Sequence, residues 1–330
     1  MISWNDTGAR ELVKRVCAGE VRALARAISL VENDAPEAQA VLSACFPHAG
    51  NSLRIGITGA PGAGKSTLVD RLARAWREAD RKVGIIAVDP TSPFTGGAIL
   101  GDRIRMQERS SDDGLYVRSM ATRGSLGGLA KTTADVALVM EASGKEIVLI
   151  ETVGVGQDEV DIVRLADVTI VVMVPGMGDD VQSLKAGIME IADIFVVNKA
   201  DREGADRVEK EIRAMQSLSQ THELRETPVV RTIGTSGAGV SELSAAIDET
   251  RQWLDEDGRM EARRKQYWRV RIEEMVRQTL LKEARWHGLS EEELEDHAAR
   301  VAAKQEDPYK AVPELVAEVF RSSQSLYPEK

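Results

Sequence analysis

The chain has 330 residues, 43% of them hydrophobic, and a formal net charge of −10. That length suits one large domain with appendages or two domains, and the acidic balance disfavours nucleic acid as the main partner, because a binder of phosphate backbones carries a basic surface. No run of about 18 apolar residues offers a membrane span, and two cysteines without a C-x-x-C pair give neither a zinc site nor a disulfide framework, so a reducing cytoplasm is the default. The first residues, MISWNDTGAR, lack the apolar core after a basic start that a signal peptide needs.

Residues 1–50 read as a small helical prefix. Leu12, Val13 and Val16, then Val21, Leu24, Ile28 and Val31, recur at helical spacing, and Gly19 breaks the run in two. A third helical stretch runs from Ala35 to Cys45. Cys17 and Cys45 sit among apolar neighbours and are expected to be buried small hydrophobes.

From residue 52 the pattern turns to alternating strands and helices. Short β-branched runs fall at 52–58, 82–89, 115–120, 146–151, 168–174, 194–198 and 228–233. Several are apolar on both faces, as a sheet covered by helices requires. Helical patterns lie between most of them, at Thr67–Glu78, Leu126–Glu141, Asp180–Ile191 and Glu203–Leu218. This alternation predicts a three-layer α/β domain with a mostly parallel sheet. After about Asp255 the strands stop. A long helix is expected up to Gly288, with Trp268, Ile272, Met275, Val276 and Leu280 on one face; its basic run Arg259–Arg271 reads as a solvated face. Ser290 with Glu293 matches a capping box that opens another helix, and a last helix is expected after Pro313. The expected division is 1–50 prefix, 51–255 nucleotide-binding domain, and 256–330 a helical arm suited to a dimer contact.

Ligands on such sheets bind at the carboxyl ends of the strands, so the polar residues there carry the chemistry. After the first run comes G-x-x-x-x-G-K-[ST], written as Gly59, Ala60, Pro61, Gly62, Ala63, Gly64, Lys65 and Ser66, with Thr67 following. This is a phosphate cradle: glycines let backbone N–H groups converge, the next helix adds its positive dipole end, Lys65 reaches the β- and γ-phosphates, and the Ser66 hydroxyl ligates Mg²⁺. Asn198-Lys199-Ala200-Asp201 follows a buried strand and reads guanine. The Asp201 carboxylate accepts from N1–H and the exocyclic amino group, a pair that adenine lacks. Thr235-Ser236-Gly237-Ala238 ends the next strand and is expected to close over the base with backbone N–H groups.

Glu151 ends its strand beside the phosphate loop, where an acidic residue suits Mg²⁺ directly or through water. Asp89 ends another strand in the same way, and the glycine-rich loop after it carries Asp102; for each, a structural carboxylate capping a turn is the alternative. Gln157 is a candidate for orienting the attacking water, with a plain surface residue as the alternative. Of the cations Lys65, Arg103, Arg105 and Arg123, only Lys65 has a motif behind it.

GAPGAGKST, VDPTSPFTGGAILGDRIRM, ETVGVGQDE, VPGMGDDVQSLKAGI and NKAD, in this order, resemble the MeaB/ArgK group of P-loop GTPases over roughly residues 50–240. The resemblance implies a GTPase (GTP + H₂O to GDP + phosphate), and because no motif identifies an arginine finger, turnover is expected to be slow alone and stimulated by a partner. That partner would be an adenosylcobalamin-dependent acyl-CoA mutase, most often methylmalonyl-CoA mutase. The implied role is a chaperone that gates cofactor delivery and protects or reactivates the mutase. Adenosylcobalamin would then belong to the mutase, with GTP or GDP and Mg²⁺ bound here. The resemblance places Ser66, Asp89, Asp102 and Glu151 in the Mg²⁺ environment. With Lys65 from the phosphate loop and Gln157 from the residue reading, Asp102 completes the catalytic candidates, and the resemblance makes the segments Glu151–Glu159 and Gly176–Lys185 the switches that face the mutase. It also assigns the C-terminal arm to a homodimer contact. A metallochaperone GTPase is one competing class; it calls for Cys or His near the switches, whereas His48, His222, His287 and His297 all lie far from them in sequence, and a nucleotide-dependent scaffold that does not hydrolyse is another.

Overall fold

The structure is a computed structural model, and it describes residues 6–89, 112–121, 128–152, 165–176, 191–218, 225–286 and 289–324. These form two compact units, one up to Glu261 and one from Ala262 onward.

The first unit is built on a seven-stranded sheet: β1 (Leu53–Gly59), β2 (Val83–Asp89), β3 (Leu115–Ala121), β4 (Ile147–Glu151), β5 (Val168–Met173), β6 (Ile194–Asn198) and β7 (Val229–Thr232). The strand order is β3-β2-β4-β1-β5-β6-β7, and every neighbouring pair is parallel. β1 lies between β4 and β5, where the chain's progress across the sheet reverses. The carboxyl end of β1 is therefore the topological switch point at which open α/β sheets take ligands.

The three layers follow from the period-2 alternation of the strands. Val168, Ile170 and Val172 of β5, with Ile194 and Val196 of β6, join a core closed by Leu68, Leu72 and Trp76 of α4 (Lys65–Glu78) and Leu243 and Ile247 of α7 (Val240–Asp255). The intervening Val171, Met173, Phe195 and Val197 face the other way, onto Val208 and Ile212 of α6 (Ala205–Leu218). On that second face, α5 (Gly128–Ala142) covers β2 and β4 so closely that a Cβ on Gly84 would stand 2.9 Å from the Met140 sulfur.

The N-terminal helices α1 (Asp6–Cys17), α2 (Val21–Glu32) and α3 (Ala38–Cys45) pack together and against α5. Gly19, at φ +80°, ends the first of them in a left-handed turn. Polar ties join this layer and α5 to the sheet. Arg118 of β3 pairs with Glu32 of α2, and Arg54 of β1 pairs with the buried Glu141 of α5, which also accepts the Gly50 N–H at 2.6 Å. Of the two cysteines, Cys45 is buried and its thiol is pushed up to about 12 by that burial. Cys17 is exposed, contrary to expectation, because it is the last residue of α1 and lies beyond the stripe of Ala9, Val13 and Val16 that packs inward.

α8 (Arg259–Trp286) begins in the first unit. The second unit continues it and adds α9 (Glu291–Ala302) and α10 (Pro308–Gln324). The expected capping box is formed in both halves: Ser290 Oγ accepts the Glu293 N–H at 3.1 Å, and Glu293 accepts the Ser290 N–H at 3.0 Å. The last helix starts earlier than Pro313, which lies inside it. Asp307 is already a sufficient start signal: its carbonyl accepts from Lys310 and Ala311, its side chain accepts from Tyr309, and Pro308 follows as the first helical residue. The helix expected over Asp180–Ile191 lies outside the described residues apart from its last position.

Lys145, before β4, offers a test of how dry this unit is. Its ammonium is buried and donates to the carbonyls of Asp113 (3.2 Å) and Gly114 (3.1 Å). Desolvation, aided by nearby Arg77, lowers its pKa from 10.5 to about 8. Below that value the buried charge opposes folding. Between about 8 and 10.5 the unfolded chain binds more protons than the folded protein, so stability rises with pH. Urea titrations should show wild type gaining on Lys145→Met by about 2–3 kcal/mol across that window. A pH-independent difference would contradict the buried-ammonium account.

Candidate functional site

The phosphate loop forms between β1 and α4 as the glycine pattern requires. Gly59, Gly62 and Gly64 have φ of +136°, +73° and +88°, values that side chains disfavour. A Cβ on Gly59 would collide with the Val172 carbonyl, and one on Gly64 would stand 2.5 Å from Asn198 Nδ2. Gly64 caps α4 in the left-handed conformation and, being glycine, offers no side chain to the helix's first N–H groups. Those donors fit an anionic ligand. Lys65 is buried and folds back over the loop, its Nζ 2.6 Å from Gly59 O and 3.0 Å from Ala60 O. Ala63 is buried, whereas Pro61 and Gly62 are exposed.

On the other side of β1, Asn198 ends β6 with 2% exposure. Its amide is engaged at both ends. Nδ2 donates to Ala63 O at 2.8 Å, while Oδ1 accepts from Thr232 Oγ1 and from the Gly234 N–H, each at 3.1 Å. Lys199 follows at φ +56° and lays its side chain along the loop, Nζ 2.8 Å from Gly62 O. Asp201 is exposed beyond it. The first two residues of the N-K-x-D motif thus brace the phosphate loop, and the carboxylate remains as the group that can meet a base.

The turn after β7 is closed on itself. Ile233 N–H donates to Ala238 O at 2.9 Å, and the N–H groups of Ser236 and Gly237 both donate to Ile233 O, at 3.1 and 2.8 Å. The Ala238 N–H lies 3.4 Å from Ser236 Oγ. The backbone donors expected to close over a base are here directed at the turn's own acceptors.

Between β1 and β4, Ser66 Oγ donates to Glu151 Oε1 at 2.5 Å. Glu151 is buried and in register with Ile57 of β1 and Ala87 of β2. Asp89 ends β2 two residues beyond that level; its side chain, with Asp102 and Gln157, lies outside the described residues, as do 153–159 and 177–185. A hydroxyl and a carboxylate meeting beside a phosphate loop form a hard-oxygen donor set that fits Mg²⁺. Just below, Thr152 Oγ1 donates to Thr58 Oγ1 at 3.1 Å, and the Thr152 N–H donates to Ile57 O at 3.1 Å. The exits of β1 and β4 are fastened together there. Sequence reasoning did not single out this pair, nor Arg71 of α4, whose guanidinium holds the carbonyls of Gly234 and Thr235. Hydrogen bonds to backbone carbonyls and hydroxyls leave no spacing pattern that a sequence motif could reveal.

A parallel sheet with this phosphate loop at its switch point and N-K-x-D two strands away defines a P-loop GTPase. The comparisons agree. The family model described as methylmalonyl Co-A mutase-associated GTPase MeaB matches residues 24–288. A protein of Pyrococcus horikoshii named as a GTPase is 50% identical over 312 residues, covering 93% of this chain and 97% of that one. The mouse methylmalonic aciduria type A homolog, mitochondrial, is 32% identical over 275 residues, covering 82% of this chain and 66% of that one. The crystal structure of an LAO/AO transport system kinase matches with a TM-score of 0.70 at 26% identity, covering 94% of this chain and 97% of that one. The chain belongs to the MeaB family of GTPases. Among the described residues, no helix is long and apolar enough to cross a membrane.

Gly64 tests the geometry of the loop. Gly64→Ala forces a left-handed alanine against Asn198. GDP titration should show affinity reduced by about tenfold or more, with stability lowered by about 1–3 kcal/mol. Wild-type affinity would show that the brace does not shape the phosphate seat.

Proposed function

We propose that this GTPase is a chaperone for an adenosylcobalamin-dependent acyl-CoA mutase, with methylmalonyl-CoA mutase the leading client. It gates delivery of the cofactor and protects or reactivates the mutase. The observation that carries this reading is the family match across residues 24–288. The mouse relative's name, which refers to methylmalonic aciduria, supports it.

In this reading GTP lies with its phosphates on residues 59–67 and its base against Asp201, between Lys199 and the turn containing Ser236, Gly237 and Ala238. Asn198 holds the phosphate loop and the turn in place. Ser66, Glu151, Asp89 and Asp102 hold Mg²⁺, which supplies charge neutralisation at the phosphate oxygens when bound. Lys65 swings from the carbonyls of Gly59 and Ala60 to the phosphates. Gln157 orients the attacking water, and Asp102 acts through the Mg²⁺ site. The contacts that Glu151 and Thr152 make with Ser66 and Thr58 support a switch beginning at Glu151 and running to Glu159. Together with Gly176–Lys185 it passes the nucleotide state to the mutase. The nucleotide domain spans 51–255, behind a prefix over 1–50. The arm over 256–330 serves a homodimer, a reading supported by the exposed Ile272, Met275, Val276 and Leu280 of α8.

Hydrolysis by the purified protein, alone and with a panel of adenosylcobalamin-dependent acyl-CoA mutases, tests the proposal. One mutase should stimulate turnover by about tenfold or more, and Lys65→Ala should abolish turnover with or without it. Steady GTP hydrolysis that no mutase alters would leave the GTPase intact and remove the client.

A further inference from the structure

Arg71 stands one turn beyond Thr67 on α4, so the two side chains share a helix face. That face meets the 233–238 turn. A Cβ on Gly234 would stand 3.3 Å from Thr67 Cγ2, which limits how closely the turn can approach the helix. Arg71 supplies the polar attachment. Nε donates to Gly234 O at 3.1 Å, and Nη2 donates to the adjacent carbonyl of Thr235. Its stem runs beneath the turn, with Cδ 3.9 Å from the position of a Cβ on Gly237.

Gly234 is therefore held on both sides. Its N–H donates to Asn198 Oδ1, and its carbonyl accepts from Arg71. The two struts lead to different parts of the phosphate seat. Asn198 continues through Nδ2 to Ala63 O in the loop itself. Arg71 belongs to the helix whose first turn carries Lys65 and Ser66. A planar guanidinium on two successive carbonyls fixes direction as well as distance. A lysine ammonium is a point charge without that fork.

We propose that Arg71 is a positioning residue for guanine recognition, resting on the base site argued above. It sets the height of the Ser236–Ala238 turn relative to α4, and so the depth of the pocket between that turn and Asp201. Asp201 reads the base, and Arg71 determines whether the base is presented to it squarely.

The test compares wild type with Arg71→Met, Arg71→Lys and the control Arg74→Met, whose guanidinium pairs with Asp70 at the surface of the same helix. Affinities for GDP, IDP and ADP are measured by calorimetry, and GTP turnover is resolved into kcat and KM. IDP lacks the exocyclic amino group. Arg71→Met should weaken GDP by about tenfold and bring the GDP and IDP affinities closer together, with the loss of turnover appearing in KM rather than kcat. Arg71→Lys should recover part of the discrimination, and Arg74→Met should match wild type. A lowered melting temperature with the wild-type GDP-to-IDP ratio would make Arg71 merely structural and overturn the proposal, as would a loss confined to kcat. If wild type itself binds GDP and ADP equally, the base site is misplaced and the role of Arg71 falls with it.

Discussion

The site depends on one buried carboxamide. Asn198 can donate on one side and accept on the other, and it does both with 2% of its surface exposed. The donor side secures Ala63 in the phosphate loop. The acceptor side secures Thr232 and Gly234 at the end of β7. These segments are separated by well over a hundred residues and come from strands on opposite sides of β5. Without the amide, the direct tie between Ala63 and the end of β7 would be lost, leaving Arg71 on the base-side turn and Lys199 on the phosphate loop. With it the phosphate seat and the base-side turn form one surface. Leaving a buried donor or acceptor unsatisfied costs about 1–3 kcal/mol, so the arrangement resists substitution even by aspartate, which has no N–H to offer Ala63.

Sheet topology brings the amide to that position. β1 sits at the reversal of strand order, so its loop has β4 on one side and β5 on the other, and the ends of β4 and β6 lie within side-chain reach of it. The β4 side is polar in a different way. Ser66 meets Glu151, and Thr152 meets Thr58, so the segment leaving β4 starts from residues already joined to the phosphate loop. The β6–β7 side, braced by Asn198, Lys199 and Arg71, is built to stay still. In the proposed function, a braced base side and a β4 end that touches Ser66 would let a partner read the nucleotide state.

Much of this was legible in the sequence because it rests on local chemistry. The β-branched runs became β1 to β7 within a residue or two, since a strand buried on both faces must be apolar throughout. Gly59 and Gly64 declared themselves because no other residue fits their φ values and close neighbours. The Ser290 box was visible for the same reason: a cap is a local hydrogen-bond problem. What stayed hidden was long-range or one-sided. Arg71 bonds carbonyls more than 160 residues away, and nothing in its neighbourhood advertises that. Asn198 was recognisable within its motif, yet its bracing role appears only when Ala63 and Gly234 are seen on either side of it. Val21 fits a helical stripe by spacing and Cys17 has apolar neighbours, but both fall at helix ends and are exposed.

Hydrogen exchange of the 59–64 segment, in nucleotide-free wild type and in Asn198→Ala, tests the central constraint most directly. It reads the loop without relying on any ligand. If Asn198 holds the loop, its amides should exchange about tenfold faster in the variant, with β1 itself little changed. Equal exchange in the two proteins would mean that the loop keeps its shape without Asn198, and that the amide serves only the base side.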